Sequence, residues 1–550
     1  MFLFDFFRSF LPLHNPIGFG ASDFIELALA ALLVLMAFVR AETAPLVERL
    51  ATRTGWCMLA IGALPIVLRL ALLGHAPIPE PAGSDDFSYW LLADTLRHFR
   101  LANPMHPMRE FFEAIFVLQE PTYSSIFPIG QGLIMAAGWL IFGTPWAGVL
   151  ISVGALCALT YWMLRAWTTP GWAVVGGLLA VMQFGVLSYW VNTYWGGAVS
   201  GCAGCLVFGA LPRLRERGWT RDGLALGAGL GLQLLTRPFE FGVLLICVAA
   251  YLAMERQWKL PWRPIALALL PAAALMLGQN RAVTGSWTTL PYELSRYQYG
   301  VPTTFTFQPN PAPHHALTQE QEMDYRAQSA VHDGPGFRQR FVERAGFYRF
   351  FLLPPLYLGL ALFVLRLRER RFAWIAAAVA LFAVADNFYP YFYPHYVAAL
   401  ACVFVLAAIA GLERLASWSP FAARLVVMLC AAHFIFWCGI HSMRDENVRL
   451  AMAKYESWNF LNEGDPEGRL AIERQLAAIP GKLLVFVHYS SIHGFHEWVH
   501  NDADIDSQRI VRALDRGGDA DEKLHEYYPD RKILFLEADA RPPRLVELQQ

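Results

Sequence analysis

Apolar residues occur in long stretches along most of the chain, and short polar or basic segments separate one stretch from the next. A helix needs roughly 20 predominantly apolar residues to cross a bilayer, and a dozen stretches approach that length. Their bounds are 24–39, 55–74, 146–164, 171–189, 196–212, 222–236, 239–254, 262–278, 347–366, 372–388, 395–413 and 421–439. The pattern predicts an α-helical polytopic membrane protein with about 12 spans within residues 1–440.

A further apolar stretch, 126–143, is ambiguous. Basic loops of polytopic proteins favour the cytoplasmic side, and the strongest basic loops here are 213–221, 256–263 and 366–371. These loops all lie on one side only if 126–143 does not cross the membrane. Its Pro128 suits an irregular start that is buried in protein. We therefore predict that 126–143 is a helix that lies in, or dips into, the outer interface.

This orientation places three long polar regions on the non-cytoplasmic side: the outer loops 75–125 and 279–346 and a soluble tail, 441–550. Loops of this length are uncommon and usually functional. Within the tail, short apolar segments predict the strands of a small α/β domain. These segments are 482–487, 509–513 and 532–536. The tail has no G-x-G-x-x-G motif, so it gives no indication of a nucleotide site.

Composition supports the assignment to a membrane. Hydrophobic residues make up 56% of the chain and charged residues 16%, whereas a soluble domain carries about 25% charged residues. The net charge of −1 gives no indication of a nucleic-acid partner. Seven of the eight cysteines lie within apolar stretches, which favours packing between helices over a disulfide framework. We expect the chain in the cell inner (plasma) membrane, with its tail facing the periplasm or exterior.

Two adjacent carboxylates, Asp85 and Asp86, follow the second predicted span. Carboxylates beside the end of a span are costly unless they are used or solvated. The pair suits a general base or a metal ligand. The competing interpretation is structural, because Ser84 or Asp85 could cap a helix over 86–99. The cap would explain one of the two acids well, but not both.

Polar and aromatic residues also mark three other outer turns. Asn192, Tyr194 and Trp195 form an aromatic turn that could be an interfacial belt or a sugar-stacking surface. Tyr292 and His395 belong to segments that mix aromatic faces with hydrogen-bonding groups, as in carbohydrate or lipid-phosphate pockets.

Arg237 lies between two apolar helices, on the side opposite the basic loops. An arginine in that position runs against the positive-inside bias, so it indicates an anionic partner such as a phosphate. An internal ion pair with Glu240 is the alternative.

Over roughly residues 55–440, the chain resembles the GT-C superfamily of polyprenyl-phosphate-sugar-dependent glycosyltransferases, especially the protein O-mannosyltransferases and aminoarabinose transferases. The resemblance lies in an acidic pair after an early span, Asp85-Asp86, and in a proline-containing segment before an apolar stretch that ends in Phe-Gly. The corresponding residues here are Phe127-Pro128 and Phe142-Gly143. Family members commonly have Asp-Glu, whereas this chain has Asp-Asp.

The resemblance implies an inverting transfer of a sugar from a polyprenyl-phosphate donor to an unknown acceptor on the outer side. Asp85 would be the general base, Asp86 would orient it or the acceptor, and Arg237 would hold the donor phosphate. Further contacts to substrate are expected from Asn192, Tyr194, Trp195, Glu240, Tyr292 and His395. No cofactor is expected, although the acidic pair could also bind a divalent metal ion.

Two other functions use different features. A transporter or binding protein for lipid-linked sugars would place paired charges near mid-membrane in broken helices, and the predicted spans contain few acids. The second is a zinc metalloprotease, because residues 496–500 read H-E-x-x-H. That motif needs a helix and a third ligand, but this segment lies between predicted strands with Gly494 just before it. We expect the tail to be a compact outer domain without zinc.

Overall fold

Helices form most of the protein in the computed structural model, which describes residues 21–38, 51–81, 83–186, 188–216, 218–257, 259–441, 468–491, 493–494 and 496–547. The first five helices are α1 Ala21–Phe38, α2 Thr54–Ala71, α3 Ser84–Arg97, α4 Ile129–Phe142 and α5 Pro145–Leu164. The next group is α6 Pro170–Phe184, α7 Tyr189–Asn192, α8 Ala198–Glu216, α9 Thr220–Thr236, α10 Pro238–Met254 and α11 Trp262–Thr284.

The second long outer loop contains α12 Pro291–Tyr299, α13 Gln319–His332 and α14 Phe337–Ala345. It is followed by α15 Tyr357–Phe363, α16 Arg370–Asp386, α17 Ala401–Trp418 and α18 Pro420–His441. The tail adds α19 Arg469–Ala478 and α20 Gly518–Tyr527. Short 3-10 helices are Arg109–Phe111, Gly346–Phe351, Pro354–Leu356, Val364–Arg366 and Ala398–Leu400.

Several apolar helices begin at a proline, which fixes the backbone for the first turn and has no amide hydrogen to leave unbonded. Helices α5, α6 and α10 each begin in this way, at Pro145, Pro170 and Pro238. The helix α17 is the innermost of the long apolar helices, and its buried side chains are mostly Ala, Val and Leu. Small side chains allow neighbouring helix backbones to approach closely in the apolar core.

Each of the twelve predicted spans coincides with helical residues, but they differ in length. Among the described residues, four helices are long and apolar enough to cross a membrane, namely α2, α5, α11 and the helical stretch Ala398–Trp418. A fifth results if Phe337–Phe351 and Pro354–Arg366 form one broken span, with an angle of 109° between them. The break falls at Leu352 and Leu353, directly before Pro354 and Pro355, which begin the second part and cannot continue a helix that precedes them. The total of 12 crossings stays a prediction.

The ambiguous stretch 126–143 contains α4, which packs against α5 as a tight hairpin joined by Gly143 and Thr144. Backbones touch where Gly138 faces Gly148, because a Cβ at Gly138 would lie 2.2 Å from the Gly148 amide nitrogen. At about 1.5 Å per residue, the 14 residues of α4 span about 21 Å, less than the ~30 Å hydrocarbon core. This length is compatible with the predicted dip into the interface.

The first outer loop and the tail each contain a small sheet. The loop strands are β1 Asn103–Pro104, β2 Val117–Leu118 and β3 Thr122–Ser125, in the antiparallel order β1-β3-β2. The tail strands are β4 Leu483–His488, β5 Ile510–Leu514, β6 Lys532–Glu537 and β7 Arg544–Glu547. Their order is β5-β4-β6-β7, with only β7 antiparallel to its neighbour. The predicted α/β tail is therefore present, and its first three strands lie within one residue of their predicted bounds.

The tail packs on the first outer loop. Leu91, Phe111 and Phe112 of the loop share a hydrophobic cluster with Leu484 and Val511 of the tail sheet. Several polar contacts also join the same two parts of the chain. The Ala503 amide donates to Asp94 at 2.7 Å, His106 lies 3.0 Å from Asp506, and the Tyr123 hydroxyl donates to the Asn501 carbonyl at 3.1 Å.

The orientation can be tested by cysteine labelling. Arg217→Cys and Glu369→Cys should be labelled only from the cytoplasmic side, and Asn310→Cys and Ala520→Cys only from outside. The half-buried Cys57 and Cys438 are replaced by serine to remove background labelling. A membrane-impermeant maleimide, applied to intact cells and to inverted vesicles, gives the result. Labelling at position 217 in intact cells would reverse the orientation and move the outer loops to the cytoplasm.

Candidate active site

A cavity of about 650 Å³ opens between the loops 75–125 and 279–346 and the helix ends beside them. Its walls come from the first turn of α3, the start of α10, helices α12 and α13, and the aromatic turn 389–396. Of the residues predicted to contact substrate, six line it: Asp85, Trp195, Arg237, Glu240, Tyr292 and His395. The fold therefore brings together side chains that are up to 310 positions apart in sequence (395 − 85).

Asp85 lies in the first turn of α3 and is half-buried at the cavity wall. The residue at the helix cap is Gly83, and no side chain makes a capping hydrogen bond there. The cap interpretation of the acidic pair is therefore wrong for this helix. The pKa of Asp85 is raised to about 7, first by burial and then by the carboxylates of Asp86 and Asp324, while Arg237 acts in the opposite direction.

Asp86 has a different environment, because consecutive residues on a helix point about 100° apart. Its side chain is buried, and its Oδ1 accepts a hydrogen bond from the Tyr194 amide at 3.1 Å. Asp86 does not line the cavity. The two acids thus divide their roles, with Asp85 at the cavity and Asp86 fixing the turn around Tyr194 to α3.

Two other predicted contact residues, Asn192 and Tyr194, also point away from the cavity. The Asn192 side chain accepts from the Arg69 guanidinium at 3.1 Å and donates to the Ser188 carbonyl at 2.9 Å. The Tyr194 hydroxyl donates to the Pro79 carbonyl at 3.0 Å. These groups hold the aromatic turn against α2 and the chain that follows it. Only Trp195 of this turn reaches the cavity, and its indole N–H has no hydrogen-bond partner among the described residues.

Arg237 lies at the junction of α9 and α10, where its backbone leaves helical geometry before Pro238. Its guanidinium lies over the ring of Tyr396, with 4.6 Å to the ring centroid. Glu240 lines the same cavity and is buried, yet no ion pair within 4.0 Å joins Arg237 to any carboxylate of the described residues. The charges of Arg237 and Glu240 interact at longer range, but no contact ion pair forms, so the guanidinium can still meet an anion in the cavity.

The most informative residue that sequence reasoning missed is Asp324. One face of α13 lines the cavity through Asp324, Ala327, Gln328 and Val331, the spacing expected of one side of a helix. Asp324 is buried, and its carboxylate accepts from the Gln328 amide at 2.9 Å. Burial raises the pKa of Asp324 to about 7, although that hydrogen bond lowers it. The polar sequence of α13 gave no sign of this role, because it reads as a solvated loop helix.

Aromatic side chains form much of the remaining wall. Tyr389, Tyr391, Tyr393 and Tyr396 come from the turn after α16, together with His395, whose Nδ1 lies 3.1 Å from the Tyr189 hydroxyl. Trp195 packs edge-on against Tyr393, with 5.8 Å between ring centroids. Such walls present flat apolar faces and hydrogen-bonding groups together, as carbohydrate sites do.

The charged residues of the cavity set limits on its chemistry. Five carboxylates line it, Asp85, Glu240, Glu293, Asp324 and Asp386, but only two guanidiniums, those of Arg237 and Arg296. The Arg296 guanidinium already donates to the Pro302 carbonyl at 3.0 Å. No group of three or more His, Cys, Asp or Glu side chains among the described residues is arranged to hold a metal ion. The geometry suits proton transfer at Asp85 and anion binding at Arg237.

The H-E-x-x-H segment of the tail is extended chain rather than helix. Glu497 is buried, and its carboxylate accepts from the Tyr489 hydroxyl and from the Val499 amide, both at 3.0 Å. His500 stacks on Phe87, with 4.2 Å between ring centroids. The helical context that would place both imidazoles on one face is therefore missing.

No protein-family model matches the chain, and no curated protein matches it either. Among solved structures, the chain is similar to ArnT from Cupriavidus metallidurans in the apo state, with 12% identity over 88% of this chain and 93% of that one and a TM-score of 0.47. ArnT from the same organism bound to undecaprenyl phosphate also matches, with 12% identity, coverage of 80% and 83%, and a TM-score of 0.44.

A third similar structure is the archaeal oligosaccharyltransferase AglB from Archaeoglobus fulgidus in complex with an inhibitory peptide and a dolichol-phosphate. It shares 12% identity over 88% of this chain and 69% of that one, with a TM-score of 0.38. Because identities of 12% and TM-scores below 0.5 do not align individual side chains securely, the residues of the cavity are the basis for a functional proposal.

Proposed function

We propose that this protein is a membrane glycosyltransferase that moves a sugar from a polyprenyl-phosphate donor to an acceptor hydroxyl on the non-cytoplasmic side. The observation that supports it best is that Asp85 and Arg237, a base and an anion-binding group, line one cavity. Both roles are needed in a transfer that removes a proton from the acceptor and releases a phosphate from the donor.

In the proposed reaction, the acceptor oxygen attacks the anomeric carbon while its proton passes to the Asp85 carboxylate. The bond between that carbon and the phosphate oxygen breaks, and its electron pair leaves with the polyprenyl phosphate. Arg237 stabilises the charge of the departing phosphate. A single displacement of this kind inverts the configuration at the anomeric carbon. The raised pKa of Asp85, about 7, suits a base that must take up a proton near neutral pH.

The aromatic wall supports a sugar as the transferred group. Sugar rings have apolar C–H faces that pack on aromatic rings and hydroxyls that need hydrogen-bond partners. Tyr292, Tyr389 and Trp195 offer both kinds of contact around the space between Asp85 and Arg237.

An aromatic series that leaves the cavity supports a lipid on the donor. Phe239 and Phe305 line the cavity and pack together, with 4.9 Å between ring centroids. Phe305 stacks on Phe307, which contacts Phe388 in turn, at 5.4 Å and 5.7 Å. Phe307 is 67% exposed and Phe388 37%, so the series ends in apolar surface, and contiguous exposed apolar surface is typical of contacts with lipid or a partner. An isoprenoid chain would follow this series outward.

The proposal is tested with the purified full-length protein in liposomes. We expect it to release polyprenyl phosphate from a polyprenyl-phosphate sugar in the presence of a mixture of envelope acceptors. A nucleotide-linked form of the same sugar is the control and should give no transfer, because it lacks the lipid. Use of the nucleotide sugar, or movement of the lipid-linked sugar across the bilayer without cleavage, would contradict the proposal.

A further inference from the structure

The H-E-x-x-H segment of the tail has no place in the proposed reaction, yet it touches the helix that carries the base. Gly83 and His496 form an isolated antiparallel β-bridge directly before α3. Phe87, in the first turn of α3, stacks on His500 at 4.2 Å. These two contacts lie two residues before and two residues after Asp85. The tail therefore holds the chain on both sides of the catalytic carboxylate.

A buried cation–π arrangement reinforces the contact. The Arg469 guanidinium lies over Phe87 and over Trp498, with 4.7 Å and 4.3 Å to the ring centroids. The same guanidinium donates a hydrogen bond to the Glu497 carbonyl. Arg469, Trp498 and Phe87 are all buried. A cation–π interaction between desolvated groups is stronger than the same interaction exposed to water.

The tail also contacts α13, the helix that carries Asp324. Gln319, the first residue of α13, donates through its side-chain amide to the Ser490 carbonyl at 2.7 Å. Asp324 lies on the same helix and lines the cavity opposite α3. Residues of one stretch of the tail, Ser490, His496 and His500, thus contact α3 and α13, two of the helices that bring an acid to the cavity.

We propose that the C-terminal domain is part of the active centre: its segment 489–500 positions the first turn of α3, and with it Asp85, against α13, and His500 is a positioning residue. This inference rests on the function proposed above. His500 acts through Phe87 and not on substrate, and Glu497 completes the fold of the segment through its bonds to Tyr489 and Val499. His500 thus serves packing rather than metal chemistry.

The protonation state of His500 fits a packing role. Burial holds the pKa of His500 well below its usual range, and the nearby guanidiniums of Arg512 and Arg469 lower it further. The imidazole is therefore neutral at neutral pH and presents an aromatic face to Phe87. A phenylalanine at position 500 would offer the same face without any ability to bind a metal or transfer a proton.

The positioning role has a signature in the pH dependence of transfer. The groups that face Asp85 are Asp86 and Tyr89 on its own helix, Asp324 on α13 and Arg237 before α10. The turn after α16 adds Tyr389, Tyr391, Tyr393 and Tyr396. In the tail, the titratable groups next to the first turn of α3 are His500 and Arg469, which both contact Phe87. Burial is the largest of the effects on Asp85, so loss of the tail contact should admit water and lower its pKa.

The experiment compares His500→Ala with His500→Phe in the full-length protein. We expect His500→Ala to lower kcat on the order of tenfold and to move the rising limb of the pH profile down by about one pH unit. His500→Phe should restore both to within about twofold of wild type, since the stack on Phe87 is kept. His488→Ala is the matched control, because His488 is exposed in the same domain and pairs with Asp515. A variant that merely folded less well would lose rate without any shift of the pH profile.

Hydrogen exchange of the amides in α3 supplies a readout that does not need catalysis. His500→Ala should speed exchange over 84–97, and His500→Phe should not. Equal exchange and an unshifted pH profile in His500→Ala would overturn the inference. Loss of activity in His500→Phe would also overturn it, because it would assign the role of His500 to its ring nitrogens, which lie near Arg469 and the Trp498 carbonyl, rather than to the stack on Phe87. If exchange responds as expected while the wild type uses no polyprenyl-phosphate sugar, the proposed function fails and the contact between tail and α3 stands.

Discussion

Asp85→Asn is expected to lower sugar transfer by about 100-fold or more while donor binding stays close to wild type. The amide keeps the size of the carboxylate but cannot accept the acceptor proton. Donor binding is spared because the phosphate is expected at Arg237, across the cavity, and the removed charge repels rather than attracts an anion. A transfer assay and a direct donor-binding measurement on the same preparation separate the two effects.

The neighbouring acid gives the matched control. Asp86→Asn should cost less than about tenfold, because the asparagine side-chain oxygen can still accept the hydrogen bond from the Tyr194 amide. Both variants remove one carboxylate from the same helical turn. They differ chiefly in that the carboxylate of Asp85 lines the cavity and that of Asp86 does not. Near-full transfer by Asp85→Asn together with a large loss in Asp86→Asn would move the base to Asp86.

The same assignment fixes the direction of the pH dependence. A base must be deprotonated, so transfer should fall as the pH drops through the raised pKa of Asp85, about 7. An aspartate of ordinary pKa, about 3.9, would keep transfer constant over that range. Asp324, with a pKa also raised to about 7, titrates in the same window. Asp324→Asn therefore belongs in the same measurement. It should move the transition to lower pH without removing it, because the Asp324 carboxylate raises the pKa of Asp85.

The sequence was sufficient to predict the features that depend on local pattern. Helical residues occur at every predicted span, and the first three tail strands lie within one residue of their predicted bounds. Asp85 and Arg237 were found because charges beside apolar spans are rare, and the fold places both in one cavity. The failures depend on side-chain direction and on distant contacts. Asn192 and Tyr194 sit at a helix junction whose turning angle the sequence does not state.

Asp324 shows why distant contacts could not be predicted from the sequence. Its helix, α13, begins 222 residues after the end of α3 (319 − 97), and only the folded loop brings its inner face over the cavity. The same holds for the tail, whose contact with α3 joins residues more than 400 positions apart, as for Phe87 and His500. No period or motif encodes such a contact, because both partners read as ordinary polar segments. The break at Pro354 was visible in the sequence and should have argued against one straight span over 347–366.

Arg237→Ala is expected to weaken donor binding and turnover together. A guanidinium that meets both the bound phosphate and the departing one acts in the ground state and in the transition state, so both Kd and kcat should change. A charged hydrogen-bonded contact contributes about 1.5–3 kcal/mol, and about 1.4 kcal/mol corresponds to a tenfold change. The expected rise in the donor Kd is therefore about 10- to 100-fold. The measurement is binding of the donor and of polyprenyl phosphate alone, beside the transfer rate.

Two further variants decide what the arginine does. Arg237→Lys keeps a positive charge but loses the paired N–H groups, so it should recover part of the binding and less of the rate. Glu240→Gln tests the ion-pair alternative, because a structural pair would make the loss of either partner equivalent. We expect Glu240→Gln to bind the donor as well as wild type or better, since it removes a carboxylate from the cavity that must accept a phosphate. If Glu240→Gln reproduces the loss seen in Arg237→Ala, Arg237 is a structural partner of Glu240 and the donor phosphate binds elsewhere.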